Sequence, residues 1–171
     1  AQNAQSGLPT LVLYTASQKA VSFGAETLSP EVQGQAEEND WLLVKHFRLH
    51  LYPDEVKAER NINSDPLPAG LSLLQVYSDF FGYILKHTKK FFEDRVINGS
   101  NLWKRYCHSM ETLIAHPNEW SGSEKALLRT AAVAAGFTKE EAAPSKIHFV
   151  TEPDALVYFF MRSHNLWSAI Q

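Results

Sequence analysis

The 171 residues contain only one cysteine, Cys107. That excludes an intrachain disulfide and any zinc site built from several thiolates, and it fits a reducing, cytoplasmic setting. Long apolar runs are missing as well, since none approaches the ~20 residues that cross a bilayer. Neither sign of charge dominates: 16 Lys and Arg stand against 19 Asp and Glu, for a net charge of −3. A surface that coats polyanions is thereby excluded. The eight glycines are scattered singly and form neither Gly-x-Gly-x-x-Gly nor Gly-x-x-x-x-Gly-Lys-Ser/Thr. A nucleotide's phosphates therefore lack their usual backbone cradle in these residues. No Gly-x-Ser-x-Gly nucleophile elbow occurs either. The start lacks an initiator Met, a basic stretch and an apolar stretch, so residues 1–7 read as a disordered tail rather than a signal peptide. They are expected to be either a processed terminus or the interior of a longer protein.

What is present is a globular balance, 44% hydrophobic and 12% aromatic, enough for one bulky-cored domain over residues 8–171. Residues 8–15 (Leu-Pro-Thr-Leu-Val-Leu-Tyr-Thr) and 20–24 (Ala-Val-Ser-Phe-Gly) flank a short polar turn and predict a β-hairpin. Residues 29–40 are acidic and read as a frayed helix or exposed connection. In 41–51 a one-turn helical start gives way to an alternating tail, with Phe47, Leu49 and Leu51 facing opposite to His46, Arg48 and His50. The Pro-rich stretch 52–70 reads as a loop. Leu71, Leu74, Tyr77, Phe81, Ile84, Leu85 and Phe92 recur at helical spacing and predict one long amphipathic helix over 71–96, stopped by Asn98-Gly99.

Another helical turn is expected at 102–108 and a buried strand at 111–116. Ser121 with Glu124 forms a capping-box signal for a helix that stops at Gly136, its slim face made by Ala126, Leu127, Thr130, Ala131, Ala134 and Ala135. Thr138 with Glu141 predicts a short helix ended by Pro144. A strand at 146–151 and a helix from Pro153 to His164 complete an α/β order.

Chemistry-bearing clusters are few. His46 and His50 alone among seven histidines have ligand-like spacing, without the carboxylate of His-Glu-x-x-His, and read as an exposed pair with no metal site assigned. Cys107 neighbours Lys104, Arg105 and His108, which favours a thiolate, but a lone Cys in a helical turn reads as a small filler. Asn98-Gly99-Ser100 is a glycosylation sequon, which matters only on a secretory route. Basic and aromatic residues interleave at Lys86-His87-Thr88-Lys89-Lys90-Phe91-Phe92 and Trp103-Lys104-Arg105-Tyr106, a pattern that suits single-stranded nucleic acid or, more simply, a solvated helix face.

Two stretches taken together carry a resemblance. Leu113-Ile114-Ala115-His116-Pro117-Asn118-Glu119-Trp120 leads into the capped helix ending Ala134-Ala135-Gly136, and Ile147-His148-Phe149-Val150-Thr151-Glu152-Pro153-Asp154-Ala155 follows. In this order they resemble the seventy-kilodalton heat-shock (DnaK-like) chaperone ATPases. Upstream, Val21-Ser22-Phe23-Gly24 and Phe47-Arg48-Leu49-His50-Leu51 are similar to the divergent branch common in mushroom-forming fungi, which is related to the atypical twelve-type heat-shock proteins of animals. The resemblance implies an incomplete actin-like ATPase (ribonuclease H-like) fold, the middle of the first lobe, covering residues 8–166.

The family's Asp-x-Gly-Thr loop is expected before residue 8 and its Asp-x-Gly-Gly-Gly-Thr loop after residue 171. Ala115-His116-Pro117-Asn118 stands where the family has Thr-Val-Pro-Ala, and Asp154 where it has Thr. The resemblance further implies that Glu152 matches the carboxylate approaching a hydrated magnesium ion and Pro153 a conformational switch. The catalytic lysine falls at either Lys45 or Arg48. ATP and Mg²⁺ are thus implied for a full-length context, with no hydrolysis expected from these residues alone. A non-catalytic protein-interaction module derived from the same fold is the alternative, and a single-stranded nucleic-acid binder using residues 86–106 a third. Protein clients, missing parts of its own domain or self-association are the partners expected, with no membrane.

Overall fold

β1 (Leu11–Tyr14) and β2 (Ala20–Phe23) pair antiparallel across the polar turn, as their alternation predicts. The computed structural model that shows this describes residues 7–164; residues 1–6 of the expected tail and 165–171 of the expected domain lie outside the described residues. A 3-10 turn, Gly24–Leu28, leads to α1 (Pro30–Glu38), whose N-cap Ser29 accepts a hydrogen bond from the Val32 N–H. The acidic stretch is therefore a helix. β3 (Leu42–Lys45) then pairs antiparallel with β1, which becomes the middle strand of a sheet ordered β2-β1-β3.

Residues 41–51 reverse the expected order, because the strand comes first and a 3-10 helix, Phe47–Leu51, follows. Its buried residues are Phe47 and Leu51, spaced by four, whereas Leu49 between them is only partly buried, so 47, 49 and 51 do not line one face of a strand. The switch occurs at His46, whose backbone is left-handed with φ +52°. The stretch 52–70 also holds a short helix, α2 (Asp54–Glu59), in place of an unbroken loop.

α3 (Leu73–Arg95) starts on Ser72, whose hydroxyl accepts from the Gln75 N–H at 3.1 Å. Its most buried residues are Val76, Tyr77 and Phe80, so the inward stripe is rotated toward Val76 and Phe80 from the one the spacing predicted. Tyr14 from β1 donates its hydroxyl to Asp79 Oδ2 at 2.9 Å, tying sheet to helix. Burial pushes the Tyr14 phenol far up, helped by the Asp79 charge, and burial also raises Asp79. α4 (Gly99–Tyr106) follows at once, and a Cβ on Gly99 would lie 2.8 Å from the Glu93 Cα and the Phe92 oxygen. Only glycine permits that approach.

β4 (Thr112–His116), α5 (Gly122–Ala134) and β5 (Ile147–Thr151) form a β-α-β crossover, with the two strands parallel and His116 opposite Thr151. α5 buries Leu128, Ala131 and Ala132, whereas Ala126 and Ala134 of the expected slim face are exposed. Pro144 does not end a helix. It lies in the first turn of α6 (Ala143–Lys146), where its missing N–H costs nothing. α7 (Glu152–Ser163) completes a mixed α/β architecture with two separate small sheets. No helix among the described residues is long and apolar enough to cross a membrane. The main core lies between the first sheet, α3 and α5, with Phe47 meeting Tyr77 and Phe80 edge-on.

The α5 cap gives a measurable pH dependence. Glu124 accepts from the Ser121 N–H (2.7 Å), the Ser121 hydroxyl (2.7 Å) and the Ser123 hydroxyl (2.9 Å). Burial raises its pKa, but these donors outweigh burial and hold it at about 2, against an ordinary 4.5. A lowered carboxylate contributes stability above its unfolded pKa and loses it as pH falls through the folded one. Since water screens this group, Glu124→Gln is expected to cost only about 0.5–1 kcal/mol at pH 7. Urea melts of both proteins should converge as pH falls from 4.5 to about 2.

Candidate functional site

β4 and β5 end side by side at His116 and Thr151, and the carboxyl ends of parallel strands are where α/β sheets generally bind ligands. Glu152 is the first residue of α7, set there by Thr151, whose hydroxyl caps the helix by accepting from the Asp154 N–H at 3.2 Å. That hydroxyl also donates to Asp154 Oδ2 at 2.6 Å, so Asp154 serves the cap. Meeting the start of α7 is the 3-10 helix Phe47–Leu51, fixed by its buried Phe47 and Leu51. It presents Arg48, whose guanidinium donates to Glu152 Oε1 across 104 residues of chain.

Both partners remain accessible, with side chains 43% and 47% exposed. An ion pair this wet is worth about 0–1 kcal/mol, too little to explain the arrangement as a stabilising device. Glu152 keeps lone pairs toward solvent, and Arg48 keeps N–H donors. A platform underlies them, because the Arg48 guanidinium carbon lies 5.7 Å from the centroid of the Trp120 ring. Trp120 is 6% exposed and stacks nearly parallel to His116 at 6.3 Å, while Tyr52 meets it edge-on at 6.4 Å. The buried His116 donates from Nδ1 to the Pro117 carbonyl oxygen at 2.6 Å, which fixes the ring against the loop. The charge of Arg48 also reaches Tyr77, whose phenol burial pushes up and that charge opposes.

A second ion pair, Arg60 with Glu119, ties the end of α2 to the loop after β4. The backbone N–H of Glu119 and then Arg60 hold the Glu119 carboxyl below its usual range.

The structure brings Arg48 and Glu152 together and places Pro153 beside them in the first turn of α7. Lys45 goes elsewhere, since it ends β3 with its Nζ 3.1 Å from Asp65. His46 and His50 do not share a regular face. His46 turns the chain with left-handed backbone, and His50 lies within the 3-10 helix with Nε2 buried and unpartnered. Cys107 is half-buried, its Sγ 3.7 Å from the Lys104 oxygen. In the sequon, Asn98 is left-handed and its Oδ1 accepts from the Asn101 amide at 2.6 Å.

Sequence reasoning missed Trp120 as the platform, and also the Arg60–Glu119 clasp. The available signal was Trp120 itself, a large aromatic between a strand-ending Pro117 and a helix cap. No protein-family model, curated protein or solved structure matches this chain.

Proposed function

We propose that this chain is the middle of the first lobe of an actin-like ATPase of the chaperone type, acting in the cytoplasm, with its phosphate loops and adenosine-binding lobe supplied from outside these residues. The observation that carries the reading is the meeting of Arg48 and Glu152 at the carboxyl ends of two parallel strands, over a buried tryptophan. In such a site Mg²⁺ and ATP supply the reacting phosphoryl group and the charge that polarises it. Arg48 would supply the positive charge for a terminal phosphate, and Glu152 the carboxylate that would accept a hydrogen bond from the water of a hydrated magnesium ion. Pro153 stiffens the turn that aims Glu152. Of the two cations left open by the resemblance, Arg48 is favoured because it is the one that meets Glu152, whereas Lys45 pairs with Asp65 on another segment.

Incompleteness has its own support. Parallel strands are ordinarily covered on both faces, yet Leu113 of β4 is 65% exposed. Five consecutive apolar residues of α7, Leu156 to Phe160, are each 48–64% exposed. A helix apolar all round belongs in an interior. The same surface supports the alternative reading, a non-catalytic module whose partner covers α7.

The coding sequence on either side of this segment discriminates between the two. Asp-x-Gly-Thr upstream and Asp-x-Gly-Gly-Gly-Thr downstream are expected, and stop codons at both flanks would overturn the fragment reading. In the protein carrying both loops, Glu152→Gln should slow steady-state Mg·ATP turnover about 10²-fold. Its thermal midpoint should hardly move, because the pair is exposed. Unchanged turnover would remove Glu152 from the mechanism.

A further inference from the structure

A cavity of about 850 Å³ lies at the opposite end of the crossover, between the second half of α3, the end of α4 and the chain following α5. Its rim carries Lys86 and Lys89 from α3, His108 after α4, and Lys139 beyond Gly136, while Trp103 and Cys107 lie in its wall. No carboxylate lines it. Among the described residues none of the three lysines takes part in an ion pair with a carboxylate. The walls are largely apolar, with Leu85 and Phe137 among them.

A glycine keeps this space open. Gly82 lines the cavity in the interior of the 23-residue helix α3, where glycine is the poorest choice after proline. Nothing demands it locally: its backbone is helical, and no atom lies within 4 Å of where a Cβ would stand. A side chain there would project into free volume. The volume suits a drug-sized ligand, and convergent cations above apolar walls select one with a negative head and an apolar body.

We infer that this cavity binds an anionic amphiphile, a carboxylate- or sulfonate-headed molecule whose aliphatic or aromatic body lies along Gly82 and Trp103 and whose head meets Lys86, Lys89 and Lys139. The inference is independent of the ATPase reading. It also accounts for the basic and aromatic interleaving at 86–92 and 103–106 without a nucleic acid.

The probe is laurate below its micellar concentration, with dodecyltrimethylammonium as the cationic counterpart of equal chain length. Cys107 is the sole cysteine, so its alkylation rate by iodoacetamide reports occupancy, and titration calorimetry reports affinity. Laurate is expected to slow alkylation at least tenfold in a saturable manner, and dodecyltrimethylammonium to leave it unchanged. Gly82→Leu should abolish laurate binding while keeping or raising the thermal midpoint, which separates a filled cavity from a misfolded protein. The pair Lys86→Glu and Lys89→Glu should weaken binding at least tenfold. Equal protection by the cationic amphiphile, persistence of binding in Gly82→Leu, or protection by a single-stranded oligonucleotide but not by laurate would each overturn the proposal.

Discussion

Phe47→Ala is expected to cost about 3–5 kcal/mol and to be the most damaging single truncation in the first half of the chain. Phe47 is 1% exposed, and its ring meets Tyr77 at 5.1 Å and Phe80 at 5.2 Å, both edge-on. Removing it loses the transfer energy of the ring and opens a void that α3, rigid along its length, cannot collapse to fill. The 3-10 helix carrying Arg48 hangs on this one ring and on Leu51. The variant should therefore show a depressed denaturant midpoint together with loss of the Arg48–Glu152 contact. Phe47→Leu keeps most of the volume and should lose less than half as much. Equal midpoints for wild type and Phe47→Ala in urea would contradict this assignment of the core.

Trp120→Ala should cost a similar amount, about 3–5 kcal/mol, whereas Trp120→Phe should cost under about 1.5 kcal/mol. The asymmetry has a specific cause. The indole Nε1 is buried without a hydrogen-bond partner, so replacing the indole by a phenyl ring removes an unsatisfied donor along with some packing. The alanine variant instead exposes His116 and removes the surface under Arg48. Chemical denaturation followed by far-ultraviolet circular dichroism measures both. A phenylalanine variant as unstable as the alanine one would mean that the indole is hydrogen-bonded after all.

These two residues also mark how far the sequence could be read. The α5 cap was legible because Ser121 and Glu124 interact within one turn, and the hairpin was legible because its pattern has period two. Residues 46–51 were not, because 47, 49 and 51 fit an alternating strand as well as 47 and 51 fit a helical turn. What decides is the left-handed backbone of His46, a residue whose type does not announce it. Pro144 carries the same ambiguity, since proline ends one helix and begins the next with equal ease. α2 escaped notice because its six residues bury no side chain and so leave no apolar rhythm.

The candidate site was legible only as a set of residue types. That Arg48 rather than Lys45 faces Glu152 depends on how β3 ends, and nothing local encodes it. The large cavity draws its walls from three separate segments, so its signature is spread too thinly along the chain to be seen. Its one local trace is Gly82, which the helical spacing of its neighbours hides, because a single glycine does not interrupt an apolar stripe.

The span of the Arg48–Glu152 contact carries a kinetic consequence. Closing a loop of 104 residues is among the costliest ordering steps open to this chain. The local hairpin and α3 can form early, whereas the parallel strands must wait for their intervening crossover. Arg48 is thus expected to meet its counterpart after both sheets are standing, and during synthesis not before the ribosome has delivered residue 152. A nascent chain halted short of that point would carry a formed first sheet and a solitary guanidinium above its tryptophan.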